Sequence, residues 1–569
     1  MKVVVVGGVA GGASAAARLR RLNEQAEIVV FEKSGFVSYA NCGLPYYVGG
    51  VIENDKALTL QTPASFKNRF NIDVRVRHEV LSIDKDAHTV TVKRLDDGEV
   101  FAEKYDKLVL SPGARPIVPP LPGIDGKNIF TLRTVEDTLT IRRHVEQAQP
   151  KSATVVGGGF IGLEMAENLA EMGVRVTIVE KAPQVLAPLD EDMASFVHAK
   201  FKQKGVQLML NAGVTGFEQK EGCVLTQLDG GQTVCGDMVI LAIGVAPDSR
   251  LAREAGLELG IRGSIAVDEH MRTSDPDIYA VGDAVQVKNG VSGRDALIAL
   301  AGPANKQGRI AADNICGIAS RYRASFGSSV VKLFDMTAAA TGMNERAVKA
   351  EGLSYGKVVL SPASHASYYP GGKVMTMKVI YEKGSLRLLG AQIVGFDGVD
   401  KRIDVLATAM QAGMSAIDLK DLDLAYAPPF SSAKDPVNMA GFMIENVELG
   451  LVKQVHMEDL ERVPRDGSVT LLDVRTDAEY GAGYPEGFMH IPVDDLRGRL
   501  DELDKTRPIY VMCQSALRSY IACRILSQNG FDCYNFSGGY RFYQSIVENR
   551  VREDINTSCG IAFPYGNKL

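Results

Sequence analysis

The amino-acid sequence predicts an α/β protein. It contains two copies of a strand–turn–helix–strand unit, an antiparallel α+β segment and a smaller α/β block towards the C-terminus. Three observations carry this reading. "KVVVVGGVAGGASAAARLRRL" and "SATVVGGGFIGLEMAENLAEMG" each run from a short apolar stretch through a glycine turn into a helix-forming stretch. After about residue 320, "VVKLFDMTAAATG", "VMTMKVIYE" and "LRLLGAQIVG" alternate like strands of an antiparallel sheet. From about residue 461, "SVTLLDVRTDAEY", "RPIYVMC" and "RSYIACRILSQNGF" restart an α/β rhythm.

Residues 2–6 are a continuous apolar run, as expected of a strand buried on both faces. The run is too short for a secretion signal, and glycines follow where the apolar segment would continue. The next strand, "EIVVFEK", ends in Glu32, 25 residues after Gly7. In the second copy Gly157, Gly159 and Gly162 form a full Gly-x-Gly-x-x-Gly, and Glu180 closes the following strand. Val9 replaces the middle glycine of the first copy. Glycines let the backbone approach a pyrophosphate, the helix start offers free N–H groups, and a carboxylate can accept ribose hydroxyls. A single glycine turn of this kind can be purely structural; two copies, each ending in an acid, point to two bound dinucleotides. "KLVLSPGARP", "MVILAIGVAPDS" and "DIYAVGDAV" add apolar runs that end in glycine-bearing loops, where ligands of parallel sheets bind.

With 46% hydrophobic and 23% charged residues, and no apolar run of the roughly 18 to 20 residues that spans a bilayer, the expectation is a soluble cytoplasmic protein with no membrane partner. A net charge of −6 argues against a nucleic-acid partner. The eight cysteines are scattered without Cys-x-x-Cys spacing, so ordinary thiols and no metal site are expected. Two sit in loops that carry other signals: Cys42 in "SYANCGLPYY" and Cys513 in "VMCQSALRS". A helix starting near Gly43 would favour the Cys42 thiolate by about 0.3–1 kcal/mol. That is less than one pKa unit, at about 1.36 kcal/mol per unit.

Two dinucleotide units, "AVGDA" and a cysteine shortly after the first unit make residues 1 to about 445 resemble the flavin-dependent pyridine nucleotide–disulfide oxidoreductases. The lone cysteine in "SYANCGLPYYVGG" resembles the coenzyme A disulfide reductase branch of that family. The resemblance implies an FAD-binding domain at 1–115 and 246–320, an NAD(H)-binding domain at 116–245, and a dimerisation domain at 321–445. It places FAD on Gly7, Gly12 and Glu32, with Asp283 at the ribityl or phosphate region and Ala301 and Pro303 beside the flavin ring. NAD(P)H falls on Gly157, Gly159, Gly162 and Glu180, with Phe160 or Ile161 gating the nicotinamide pocket and Glu164 close to it. Ala10, Gly11, Lys33, Ser111 and Gly244 complete the cofactor-binding set. Glu180 favours NADH over NADPH, against which Lys181 speaks.

Related reductases with two cysteines carry a Cys-x-x-x-x-Cys dithiol and take a histidine from the dimer partner. Here Cys42 has no neighbouring cysteine, and "DLAYAPPFSSAKDP" places Tyr426 where that histidine is absent. Tyr426, with Tyr368 or Tyr369, matches the tyrosines that assist the thiol in the coenzyme A branch. Arg18, Arg21, Ser38 and Asn41 are the candidates for contacts with coenzyme A, which would be substrate or bound cofactor. A solvated helix face is the alternative for the arginines.

Residues 461–569, after a linker at 446–460, resemble a rhodanese domain followed by a tail. Cys513 would carry sulfane sulfur and Arg518 would be the loop arginine, with Asp473 and Arg475 bracing the fold. Ala516 stands where a glycine is common, which puts the loop's backbone freedom in doubt. Cys523 and Cys533 are expected to be structural. Together the resemblances imply a flavoenzyme that reduces persulfide, polysulfide, coenzyme A persulfide or coenzyme A disulfide with NADH. The alternatives are an NADH oxidase or peroxidase that uses a Cys42 sulfenic acid, and a persulfide sensor whose rhodanese module only docks.

Overall fold

Val3, Val4 and Val5 are fully buried because their strand, Lys2–Val6, lies at the centre of a parallel sheet. The order is Ile278–Ala280, Lys107–Leu110, Lys2–Val6, Glu27–Glu32 and Asp73–Val76. A computed structural model describes residues 1–551; the expected C-terminal tail from 552, with Cys559, lies outside the described residues. The described residues form two compact units, Met1–Ala182 with Met209–Gly327, and Pro183–Leu208 with the described residues from Ser328 onward.

In the first unit the helix Ala10–Leu22 packs on Ala301–Ile315. Gly308 permits the approach, since a Cβ there would lie 2.3 Å from the Gly11 carbonyl oxygen. A second parallel sheet is centred on Ser152–Val156, flanked by Arg175–Val179 and Met238–Leu241. Beside it lies a three-stranded antiparallel sheet, and here one expectation fails. Cys223 and Cys235 are joined by a disulfide. Cys235 stands opposite Leu225 on the neighbouring strand, which brings Cys223 diagonally within reach. Only the strand register creates this proximity; the separation of 12 residues does not announce it.

In the second unit five antiparallel strands run in the order Ser329–Leu333, Met336–Gly342, Leu388–Gly395, Met375–Glu382 and Tyr355–Leu360. Leu388–Gly395 is buried at every residue and does not alternate between core and solvent. The reason is cover on both faces, from Val399–Gln411 and from Glu191–Gln203. The latter helix comes from the stretch expected in the second dinucleotide domain. Lys378, fully buried, reaches Asp190 at 3.1 Å, Asp192 at 2.8 Å and Glu345 at 2.5 Å. These carboxylates lie within 4.8 Å of one another, as metal ligands do, but the lysine ammonium stands among them. Burial alone would push the Glu345 carboxyl up; Lys378 and Lys357 outweigh it and hold the group well below the usual range.

A five-stranded parallel sheet follows, in the order Lys453–Val455, Cys533–Phe536, Ile509–Met512, Thr470–Asp473 and Met489–His490. Its edge strand lies inside the expected linker, so the connection from the helix Pro436–Glu448 is short. Among the described residues no helix is long and apolar enough to cross a membrane.

Candidate active site

The two glycine turns are built alike. Gly7 (φ +94°) and Gly157 (φ +108°) adopt the left-handed backbone that glycine accepts without strain. A Cβ at Gly7 would lie 2.1 Å from the Ser111 carbonyl oxygen, and one at Gly157 2.3 Å from that of Ala242. A Cβ at Gly12 or Gly162 would strike the carbonyl of the first glycine of its own turn, at 1.9 or 2.0 Å. The carboxylates at the strand ends repeat the symmetry. Glu32 accepts from Gly8 N (2.8 Å) and Ser34 N (2.9 Å), while Glu180 accepts from Gly158 N (2.6 Å) and Ala182 N (2.8 Å). Burial pushes the Glu32 carboxyl up, against the pull of its two backbone donors. Neither following helix has a side-chain cap, so first-turn N–H groups stay available; Ala10 and Phe160 open them. Nothing lies within 4 Å of the Cβ position of Gly159. Two such cradles fit two dinucleotide pyrophosphates.

The other residues expected near the cofactors fall around these turns. Gly11 is buried against Val281 and Ser111, and the Ser111 N–H donates to the Val6 carbonyl at 2.8 Å. Ala301 and Pro303 lie in the first turn of Ala301–Ile315, whose buried Gln307 accepts from Gly282 N at 2.7 Å. Gly244 (φ +119°) accepts from Ile117 N at 3.0 Å, and Lys33 lies exposed, 3.7 Å from Asp248.

Cys42 is exposed in the 3-10 turn Asn41–Gly43, which runs directly into the short helix Leu44–Val48. The expected thiolate bias is reversed. Partial desolvation pushes the thiol up, the Glu164 and Asp283 carboxylates add to it, and Arg133 only partly offsets them. A short helix start cannot outweigh two carboxylates. Arg133, which no local pattern marks, binds Asp283 at 2.7 Å. With the Asn41 amide nitrogen facing the Arg133 carbonyl (3.0 Å), its oxygen accepts from Arg133 Nη1 at 3.3 Å. Glu164 accepts from the Tyr46 hydroxyl at 3.3 Å. Burial, reinforced by Glu167, raises the Glu164 carboxyl to about 7 despite that hydrogen bond.

Ser38 adopts φ +47° and donates its N–H to the Gly8 carbonyl at 2.8 Å. This ties the cysteine loop to the first glycine turn. Arg18 pairs with Asp313 at 2.7 Å, whereas Arg21 is exposed. In the second unit the Tyr368 and Tyr426 hydroxyls are 2.6 Å apart. Tyr369 meets the His365 ring edge-on at 5.6 Å. Tyr368 and Tyr426 are thus brought together, and Tyr426 also lines an open cavity of about 510 Å³ with Lys401 and Phe430.

Cys513 follows the strand Ile509–Met512 and is fully buried. Ala516 adopts φ +71° and opens the helix Leu517–Gln528, so the loop takes the left-handed turn without a glycine. Such a conformation costs an L-residue about 1–2 kcal/mol. The loop carbonyls are paired: Tyr540 N donates to Cys513 O at 2.8 Å and Arg541 N to Gln514 O at 3.0 Å. Gly539 allows this, since a Cβ there would lie 2.4 Å from the Cys513 oxygen. Ser519 Oγ stands 3.2 Å from Cys513 Sγ and 2.6 Å from Asn535 Oδ1. Arg518 forks onto Glu479 at 2.6 and 2.7 Å, a partner the sequence motif does not reveal. Asp473 and Arg475 form a buried pair at 2.7 Å, with the guanidinium 3.9 Å over the Tyr540 ring. Cys523 and Cys533 are buried, the Cys533 thiol facing the Cys523 carbonyl at 3.3 Å.

Comparison with known proteins agrees with this geometry. Residues 1–308 match the pyridine nucleotide-disulphide oxidoreductase family, 328–436 its dimerisation domain, and 456–545 the rhodanese-like domain. Coenzyme A disulfide reductase of Staphylococcus aureus (strain JH9) is 35% identical over 442 residues, 78% of this chain and 99% of the relative. The crystal structure of reduced Bacillus anthracis CoADR-RHD superposes with a TM-score of 0.93 at 48% identity, covering 96% of this chain and 98% of that one. A NAD-dependent persulfide reductase from A. fulgidus gives 0.91 at 39% identity, covering 95% of this chain and 100% of that one. The chain belongs to the pyridine nucleotide-disulphide oxidoreductases, a family of redox enzymes whose membership implies FAD and a nicotinamide nucleotide, and it carries a rhodanese-like domain as well.

Proposed function

We propose that the protein is an NADH-dependent reductase of persulfides, polysulfides, coenzyme A persulfide or coenzyme A disulfide, with Cys42 as redox thiol and Cys513 as sulfane-sulfur carrier. The observation that carries this reading is an exposed, single cysteine beside two dinucleotide cradles, in a chain that also holds a second cysteine in a closed loop whose carbonyls are paired and whose sulfur faces the Ser519 hydroxyl. A thiol without a partner in its own loop can form its disulfide or persulfide with a sulfur that arrives on the substrate.

The first cradle, with Gly7, Gly12, Glu32 and Asp283, would hold FAD, and the second, with Gly157, Gly162 and Glu180, would hold NADH. The flavin supplies two-electron transfer from NADH to a disulfide when bound. Glu180 at its strand end accepts ribose hydroxyls and repels a 2′-phosphate, which favours NADH. Asn41 and Ser38 shape the loop that presents Cys42, and exposed Arg21 is available to a coenzyme A phosphate. Arg18, being paired with Asp313, would have to exchange partners to do the same. The protein acts as a cytoplasmic homodimer, with the Tyr368–Tyr426 pair serving the thiol across the dimer.

An anaerobic assay tests the proposal. NADH consumption with coenzyme A persulfide should release sulfide stoichiometrically in the wild type and vanish in Cys42→Ser. Consumption of NADH only with oxygen or peroxide would replace the reading with an oxidase or peroxidase.

A further inference from the structure

Tyr46 stands four residues beyond Cys42, where the turn Asn41–Gly43 continues as the helix Leu44–Val48, and the two groups lie close enough for the Cys42 sulfur to act electrostatically on the Tyr46 hydroxyl. Its hydroxyl donates to Glu164 Oε1 at 3.3 Å. Glu164 sits in the second turn of Phe160–Glu171, the helix that follows the other glycine cradle. The pair therefore joins the cysteine loop to the nucleotide half of the same unit.

The short helix is held from two sides. Gly49 lets it lie against Phe160–Glu171, because a Cβ there would fall 2.1 Å from Asn168 Oδ1. Asn168 Nδ2 in turn donates to the Glu164 carbonyl at 2.8 Å. From the helix Val135–Ala148, Arg142 donates to the Val48 carbonyl at 2.9 Å. Tyr46 is thus placed by packing rather than by a loose loop. The Glu164 carboxylate has the Tyr46 hydroxyl as its hydrogen-bond partner and no cation in ion-pair range among the described residues.

We propose, resting on the function given above, that Glu164 is the proton reservoir for the Cys42 reaction and delivers its proton through the Tyr46 hydroxyl to the sulfur that leaves. The Cys42 thiolate forms a new S–S bond to one sulfur of the substrate as the substrate's own S–S bond breaks. The departing sulfur keeps the electron pair as thiolate or hydrosulfide and takes the proton of Tyr46. When the Glu164 carboxyl is protonated the contact runs the other way, the carboxyl donating to the Tyr46 oxygen and turning the Tyr46 proton towards the sulfur; the carboxyl proton then passes to the Tyr46 oxygen, which leaves Glu164 ionised until water reprotonates it. The two electrons that return Cys42 to its thiolate come from NADH.

The electrostatics agree with that role. A carboxyl that titrates at about 7 is half protonated at neutral pH, where an acid is needed. The groups that act on it are Tyr46 from the short helix and Glu167 from its own. Cys42 feels Glu164 most strongly of its charged neighbours, then Asp283, with Arg133 opposing. Burial and then Glu164 push the Tyr46 hydroxyl upward, and Cys42 adds to this.

Two measurements on the flavin-loaded enzyme test the proposal. The first is turnover of coenzyme A disulfide with NADH from pH 5.5 to 9. The wild type should lose activity through an apparent pKa near 7 as the reservoir ionises. In Glu164→Gln and in Tyr46→Phe turnover at pH 6 should fall by about 100-fold and that limb should flatten, while Glu164→Asp restores part of both. The second is the rate at which iodoacetamide alkylates Cys42 against pH, which needs no turnover. Its midpoint should move down in Glu164→Gln, because a charge that opposes the thiolate is gone. A pH limb and an alkylation midpoint both unchanged in Glu164→Gln would overturn the proposal. A wild type that reduces no sulfur substrate would instead remove the functional reading, and the alkylation midpoint would still report on the pair.

Discussion

Cys42 and Cys513 each stand just before a helix, yet the fold surrounds them in opposite ways. Cys42 is exposed, faces two carboxylates, and its thiol is pushed up. Cys513 is fully buried in a loop whose carbonyls are paired by Tyr540 and Arg541, with the Ser519 hydroxyl 3.2 Å from its sulfur. The first environment suits a thiol that must meet a bulky partner and be relieved of charge by a neighbouring acid. The second suits a sulfur held rigidly in a closed loop beside a hydroxyl donor. Similar local geometry therefore supports different chemistry, and the neighbours decide which.

Removing the exposed thiol should have the largest effect. Cys42→Ser is expected to lower sulfur-substrate reduction by about a thousandfold or more. Anaerobic bleaching of the flavin by NADH should persist, and absorbance spectroscopy follows both. Sulfur reduction that survived in this variant would dissolve the contrast between the two cysteines. The buried site should be the more fragile one structurally. Arg518→Met leaves the partly buried Glu479 carboxylate without its guanidinium, held only by its Thr476 donors, and should destabilise the rhodanese-like domain by about 2–3 kcal/mol. Denaturant unfolding of the variant, compared with Arg518→Met/Glu479→Leu, measures this, with the double variant recovering part of the loss.

Next in size is Cys513→Ser, for which turnover on polysulfide or thiosulfate should fall by about tenfold or more while small persulfides react within about twofold of the wild type. Equal activity on every donor would leave the module as a docking domain and the comparison without its second half. A smaller effect distinguishes the two sites by pH. The Glu164 carboxyl is raised to about 7, so the folded state binds its proton more tightly than the unfolded chain. Stability from this group is present below the usual carboxylate range and is lost as pH rises towards 7. Glu164→Gln should accordingly melt higher than the wild type above pH 7, with the gap closing below about pH 4.5. Smallest of all, Ala516→Gly should relieve the left-handed backbone at φ +71° and stabilise by about 0.5–1 kcal/mol, since glycine's extra unfolded-state freedom offsets part of the gain. A loss of stability there would mean that the Ala516 methyl packs usefully in the closed loop.

Much of the architecture was legible because its causes are local. A glycine that must have positive φ, or must lie against a carbonyl, as Gly7, Gly12, Gly157 and Gly162 do, shows in the sequence as a glycine at a set spacing. Glu32 and Glu180 were legible because each closes the strand beside its turn, and both carboxylates receive a backbone N–H of that turn. The strand and loop around Cys513 were readable for the same reason.

Other features depend on partners far away in the chain, and no local pattern encodes them. The Cys223–Cys235 disulfide follows from strand register, the Asp283–Arg133 and Arg518–Glu479 pairs join separate elements, and Ala516 takes a turn that its residue type disfavours because the surrounding hydrogen bonds demand it. By itself the sequence determined where backbone must approach ligand and which thiols stand ready, since these rest on the size and conformational range of single residues. Only the tertiary structure decided how each thiol is tuned. Charge and desolvation act over several ångströms regardless of chain order, and Glu164 reaches the Cys42 loop across 122 residues of sequence.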